Sequence, residues 1–272
     1  NTGGNVTSGS AGVSFTELKM SGGNDFNPVT LAGSATYTLG SASITSNGFA
    51  KRLQLDGTSN ANTVTGIISD TNNSTAGAVV HLIKANSGTW TLGGNNTYTG
   101  TTTVNGGTLL VNGNQSSANG AVTVTAGTLG GTGSTGGAVN VATGATIAPG
   151  TASTIGQFTA SNGVILASGA AFDLDIDADS TTSDTLVVTG DLDLTGAVLA
   201  AQDLGSSAPS PSAVFTLATY TGSLTGTFAG LPDGATTTIN GNSYTIKYAD
   251  GGHNITLTAV AAGSAFASWA QA

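Results

Sequence analysis

The feature that most constrains this chain is an apolar/polar alternation that restarts at a glycine about every twenty positions. Val104-Asn-Gly-Gly107-Thr-Leu109 is followed by Val124-Thr-Ala-Gly127-Thr-Leu129 and Val141-Ala-Thr-Gly144-Ala-Thr-Ile147. Leu166-Ala-Ser-Gly169-Ala-Ala-Phe172 and Val188-Thr-Gly190-Asp-Leu192 come next, so the glycines step by 20, 17, 25 and 21 residues. Between them Val122-Thr-Val124, Val139-Asn-Val141, Phe172-Asp-Leu174-Asp-Ile176 and Leu192-Asp-Leu194 place apolar side chains on one face only. That is the period of a half-buried strand, and helical spacing is nearly absent. A step near twenty residues fits one coil of a parallel β-solenoid, each strand lying ~4.8 Å along the axis from its equivalent. One coil cannot bury its apolar face, but stacked coils can. At ~21 residues per coil there is room for about 13 coils and ~60 Å of axis, fewer where the terminal zones deviate. The Asn-Gly pairs that begin at Asn47, Asn105, Asn112, Asn119, Asn162 and Asn240 supply positive-φ turns. The same turns also suit hairpins, so an antiparallel β-sandwich or barrel is the alternative all-β fold.

Composition narrows the function classes. Charged residues make up 7% of the 272 positions, against ~25% in an ordinary soluble domain. That argues against a typical cytosolic enzyme. A net charge of −9 lacks the basic footprint that nucleic acid requires. The absence of cysteine excludes disulfides, thiolate metal sites and a Cys nucleophile. No apolar run approaches the ~20 residues of a membrane helix. Asn1 opens the sequence without Met or a signal peptide, as in a processed product or a fragment.

Charge also divides the chain. Residues 1–84 hold four acids and four bases, residues 85–172 hold no Asp, Glu, Lys, Arg or His, and ten acids with one base, Lys247, follow from Asp173 onward. The expected organisation is an irregular N-terminal β region or cap over residues 1–85 and a regular solenoid over 86–200. A C-terminal β region or cap over 201–260 and an apolar tail or linker over 261–272 complete it. Residues 236–260 read as two short strands flanking Asp250-Gly-Gly.

The run Gly88-Thr-Trp90-Thr-Leu92-Gly-Gly-Asn-Asn96-Thr-Tyr98-Thr-Gly100-Thr-Thr-Thr-Val104-Asn-Gly-Gly107-Thr-Leu109 resembles the autotransporter-associated β-strand repeat. That repeat reads roughly G-x-W-T-L-x-G-x-N-T-Y-T-G-x-T-x-V-x-x-G-T-L. Residues 184–196, 224–234 and 244–248 resemble downstream parts of such proteins, so the likeness covers roughly residues 86–260. Phe266-Ala-Ser-Trp269-Ala resembles the start of a segment that follows these repeats. The resemblance implies a right-handed parallel β-solenoid in a secreted or surface-displayed bacterial protein. It implies a stalk, adhesin or self-associating fibre, and the repeat motif carries no catalytic residue. Fold alone does not set function. The expectation is a non-enzymatic structural protein whose partners are copies of itself, with extracellular glycans as a further candidate. A glycan-binding module or a polysaccharide-degrading β-helix enzyme is the alternative.

Candidate sites are few. Asp173, Asp175, Asp177 and Asp179 alternate with apolar residues, so a strand would carry them on one face ~6.5–7 Å apart. With Asp184 they form a candidate calcium site; the competing reading is a solvated acidic face that blocks edge pairing. Gly131-Thr-Gly133-Ser-Thr-Gly136 matches a dinucleotide fingerprint but has a strand-like sequence after it and no acid until Asp173, so it follows from glycine richness. His81 and His253 lack clustered ligand partners. Lys51-Arg52 is the sole basic pair, too little for a polysaccharide-cleaving groove that needs paired carboxylates or bases. Trp90 and Tyr98 offer sugar stacking or core packing. Phe266 and Trp269 are the candidate anchors for self-association, through a tail that lies on the next copy. No cofactor other than calcium is suggested.

Overall fold

A computed structural model describes residues 5–8, 12–20, 29–45, 49–70 and 78–261. Among the described residues the chain is all β, and no helix is long and apolar enough to cross a membrane. Three sheets wrap one core. The first face has ten strands, all paired in parallel, from Asn5–Ser8 through Thr102–Val104 and Val122–Val124 to Leu224–Thr225. The second face runs from Val13–Met20 through Thr89–Leu92 and Thr108–Val111 to Ala171–Asp177 and Val198–Asp203. The third begins at Asn114–Gln115 and reaches Val214–Tyr220. Up to Val164–Leu166 each strand of the first face therefore pairs with the coils before and after, and not with its sequence neighbours. This is a parallel β-solenoid, and Val122–Val124 lies parallel to Val139–Val141 as the repeat requires.

Side-chain period and coil register together build the core. Leu31, Leu55, Lys84, Val104, Val124, Val141 and Leu166 form one inward column. Trp90, Leu109, Leu129, Ile147 and Phe172 form another. All of these are buried. Outward positions stack like on like, as in Thr89, Thr108, Thr128 and Thr146. Gly107, Gly127 and Gly144 sit at the equivalent corner between first and second faces, with φ of 62°, 78° and 77°. Left-handed backbone there turns the chain without a Cβ penalty.

The coil count and one alignment need correction. Among the described residues the first face holds ten strands, so ten coils replace about thirteen. The reason is coil length. Leu82, Thr102, Val122 and Val139 are successive register partners, steps of 20, 20 and 17 residues. Val139, Val164, Leu192 and Leu224 then step by 25, 28 and 32. Gly190 is not the fifth corner glycine. Gly169 N–H donates to Gly196 O, so Gly196, with φ 72°, takes that corner. Gly190 lies over Gly163 at the third-to-first corner.

The zones share one ladder. Residues 1–85, expected to be irregular or a cap, contribute strands such as Val29–Gly33 and Lys51–Leu55 to the same parallel sheets where described. At the other end the direction changes. Thr236–Ile239, Asn242–Asp250 and Asn254–Ala259 are antiparallel, and Asn254–Ala259 pairs antiparallel with Val214–Tyr220. Three strands, and not two, occupy residues 236–260, because Asn240-Gly241 makes a further tight turn. Phe228 stacks on Phe172 at 5.8 Å, and the Tyr248 hydroxyl accepts from Phe228 N and donates to Leu231 O. These residues close the apolar column at that end.

Candidate functional site

Polar side chains at inward positions cluster in the coils around residues 82–135. Lys84 occupies a column position between Leu55 and Val104 and is fully buried. Its ammonium donates to three carbonyls, Ala85 O at 2.6 Å, Asn86 O at 3.0 Å and Gly106 O at 2.9 Å. Burial pulls its pKa down to about 8, opposed by the nearby Asp56 carboxylate. Lys84 thus ties the corner of one coil to the corner of the next. Trp90 is buried and donates its indole N–H to Asp56 O at 2.7 Å. Tyr98 is buried, its hydroxyl 2.6 Å from Thr102 Oγ1, and burial pushes its pKa up to about 12. Both aromatics are therefore core residues and do not form a sugar platform. Beside Tyr98 lies a cavity of about 10 Å³, lined also by Gln115 and Thr135. Gln115 Nε2 and Thr135 Oγ1 are buried there without a protein partner.

The five aspartates do not form one row. Ala171–Asp177 is a strand with Phe172, Leu174 and Ile176 buried, so its alternation is as read. Asp179, however, lies beyond the strand, where it accepts from Ser206 N and Ser207 N. The Ser206 amide is the main cause that holds its carboxyl below the usual range. Asp177 caps its own turn by accepting from Asp179 N and the Ser180 hydroxyl. Asp175 faces outward yet is buried, because residues 150–156 fold over it and Ser153 N donates to its Oδ2 at 3.1 Å. Asp184 is buried as well. It accepts from Gly156 N at 2.7 Å and from Asp175 N at 2.9 Å. Burial, reinforced by Asp175 and Asp173, outweighs these bonds and raises Asp184 to about 6. Asp173 is exposed, and its carboxyl too is raised, by partial desolvation and by Asp175.

Asp173, Asp175 and Asp184 thus border a groove of about 430 Å³ on the second face, floored by Thr89, Thr108 and Thr128. Among the described residues no three of His, Cys, Asp and Glu converge as a metal-holding group. The row that a calcium site needs is divided between a covered pair, a turn cap and an anchor to the next coil. Nine of the ten acids from Asp173 onward accept a hydrogen bond from the chain. Besides those above, Asp191 accepts from Ser223 N, Asp193 from Thr195 N, Asp203 from Ala178 N, Asp233 from Tyr248 N and Asp250 from the Thr256 hydroxyl. That anchoring role was missed in the sequence because each acceptor meets a donor most often one coil away.

The remaining candidates are structural. His81 Nδ1 accepts from Thr101 N at 3.0 Å and lies 2.9 Å from Thr101 Oγ1. Burial and then Arg52 lower its pKa. His253 lies in the hairpin turn with its ring 5.2 Å from Tyr220. The glycines of the run 131–136 pack on the backbone of the preceding coil, as corner residues do. Phe266, Trp269 and the tail 262–272 lie outside the described residues.

Comparison with known families matches residues 82–111 to the passenger-associated-transport-repeat. The match covers one coil and the first two strands of the next, from Lys84 through Trp90 and Tyr98 to the strand Thr108–Val111. The resemblance to the autotransporter repeat therefore holds over that stretch. No curated protein matches the chain significantly. A transport-associated passenger repeat set in a parallel β-solenoid is the make-up of an autotransporter-passenger-like structural domain.

Proposed function

We propose that the chain is a non-enzymatic shaft of a secreted or surface-displayed bacterial protein, associating end to end and presenting its outer faces for adhesion. The observation that carries this reading is the neutral stretch 85–172. It builds coils on all three faces, and its asparagines bond from coil to coil. Asn112 Oδ1 accepts from Thr132 N and Asn95 Oδ1 from Asn114 N, each one coil apart. A surface of Thr, Ser and Asn stays wettable without charge and offers little repulsion between copies. The passenger-repeat match supports secretion or display, and the fold supports a stalk. The terminal segment with Phe266 and Trp269 is the proposed link between copies, and extracellular glycans are the proposed adhesion target.

Electron microscopy at rising protein concentration tests this. Isolated rods should measure ~50 Å, ten rungs at ~4.8 Å each, and should join into longer fibres as concentration rises. Deleting residues 261–272 should return them to single rods. A full chain that stays as single rods at every concentration removes the fibre reading. Polysaccharide turnover abolished by one Asp substitution removes the non-enzymatic one.

A further inference from the structure

The two ends of the solenoid differ. Residues 226–250 close the C-terminal end over Phe172 and Phe228. At the other end Val13–Met20 is the outermost strand of the second face, and among the described residues no strand lies beyond it. This strand has eight residues, long for an edge. Edges are usually shortened, broken by Pro or lined with unpaired charge to block association. Here Glu17 and Lys19 neutralise each other at 3.2 Å. Val13, Phe15 and Leu18 are only partly buried, packed on the core from one side.

The order of its inward residues is symmetric. Val13, Phe15, Leu18 and Met20 lie over buried Tyr37, Leu39, Ala42 and Ile44. Thr16 and Glu17, two exposed residues in succession, separate the halves. The inward pattern therefore reads the same in both directions about the Thr16–Glu17 bond. An ordinary alternating strand has such centres at residues; here the centre falls on a peptide bond, which fixes the one register in which the inward residues of two copies oppose each other.

We propose that Val13–Met20 is a dimerisation edge, at which two copies meet head to head across a two-fold axis. The strand pairs antiparallel with its own counterpart, 13 opposite 20 and 15 opposite 18. Every inward apolar residue then faces an inward apolar residue. Phe15 meets Leu18 twice, and the two cores become one. Ser14 faces Lys19 and Thr16 faces Glu17, so no like charges oppose each other. The contact is isologous and closes at two copies. A head-to-tail stack would set this strand parallel on Val198–Asp203, which ends the second face with six residues, and would leave part of its eight-residue length unpaired. The inference is independent of the terminal segment proposed above as a fibre link.

Sedimentation velocity on the full chain carrying Phe266→Ala and Trp269→Ala tests it with the tail contact removed. The expected result is a monomer–dimer equilibrium. Ser14→Lys, at an exposed position, puts a second ammonium opposite Lys19 of the other copy twice per dimer and should weaken association about tenfold. Ser14→Glu should preserve or tighten it. A monomer at all concentrations overturns the proposal. So does a dimer indifferent to the charge at position 14, or one weakened equally by both substitutions.

Discussion

The shaft over residues 85–172 and the closing region over 173–260 solve one problem with different acceptors. Each must satisfy backbone N–H groups that face the neighbouring coil at corners where the ladder breaks. In the shaft neutral amides do this, as Asn95 does for Asn114 and Asn112 does for Thr132. In the closing region carboxylates do it, as Asp191 does for Ser223 and Asp203 does for Ala178. The coils differ in the same sense. Steps of 20 and 17 residues leave little slack. Steps of 28 and 32 carry wide corners with more donors to hold. An ionised acceptor makes a stronger bond than an amide, and it brings sensitivity to pH that the shaft lacks.

The contrast breaks most visibly at glycine. A Cβ on Gly120 would overlap the Gly100 carbonyl, and Gly137 would overlap Gly120 in turn. Gly120→Ala should therefore force two stacked coils apart and cost about 3 kcal/mol or more by urea unfolding. Gly234 faces open space with φ 78°, so Gly234→Ala should cost only the left-handed penalty, about 1 kcal/mol. Equal costs would mean that the shaft is no more tightly stacked than its end.

Substitution of an anchor comes next. Asp203→Ala strands the amides of Ala178 and Gly205 and should cost about 1–3 kcal/mol. Asp203→Asn keeps an acceptor and should recover most of it. Should Asn prove as damaging as Ala, charge and not acceptance is the anchor.

Acidification should separate the regions by sign. Asp184, at about 6, binds its proton more tightly folded than unfolded, where Asp titrates near ~3.9. Its ionised form therefore costs stability above pH 6, and stability should rise as pH falls from about 7 toward 4. Asp173 acts in the same direction. Asp179, held low, opposes this only at still lower pH, where its folded form finally protonates. His81, held below the usual imidazole range by burial and Arg52, acts in the opposite direction over the same interval, so the Asp184 contribution is read against Asp184→Asn: between pH 7.5 and 5 the parent midpoint should gain about 2–4 °C relative to that variant. A parent midpoint that gains nothing on the variant contradicts the assignment.

Smaller effects remain. Thr135→Val removes a buried hydroxyl without a protein partner and should be neutral or stabilising by about 1 kcal/mol. Calcium or a chelator should leave the midpoint unmoved, since Asp175, Asp177, Asp179 and Asp184 already accept chain N–H groups. A rise with calcium would restore a metal role for the acidic strand.

Periodicity made the shaft legible. Val122-Thr-Val124 and Val139-Asn-Val141 named both their inward faces and, through Gly127 and Gly144, their register. Lys84 was hidden because a lysine in a strand reads as a surface residue; its own corner at Ala85 and Asn86, together with Gly106 of the next coil, supplies the three carbonyls that bury it. Asp175 was read as solvated for a similar reason. Its own strand points it outward, and the cover comes from Ser153, more than twenty residues earlier. Gly190 was misplaced because lengthening coils moved the true corner to Gly196. Local pattern reports the face a residue takes, while neighbours one coil away decide what that face meets.

The folded-back strand Asn254–Ala259 has a mechanical consequence. A parallel coil drawn off the end of a solenoid peels, its inter-coil bonds yielding one after another at low force. Asn254–Ala259 is held antiparallel on both sides, by Val214–Tyr220 and by Asn242–Asp250. Tension entering at Ala259 along the strand loads both rows of bonds in shear, so that they share the load and must fail together. The closing hairpin is thus a latch, and a rod pulled from this end should hold its length until that latch slips.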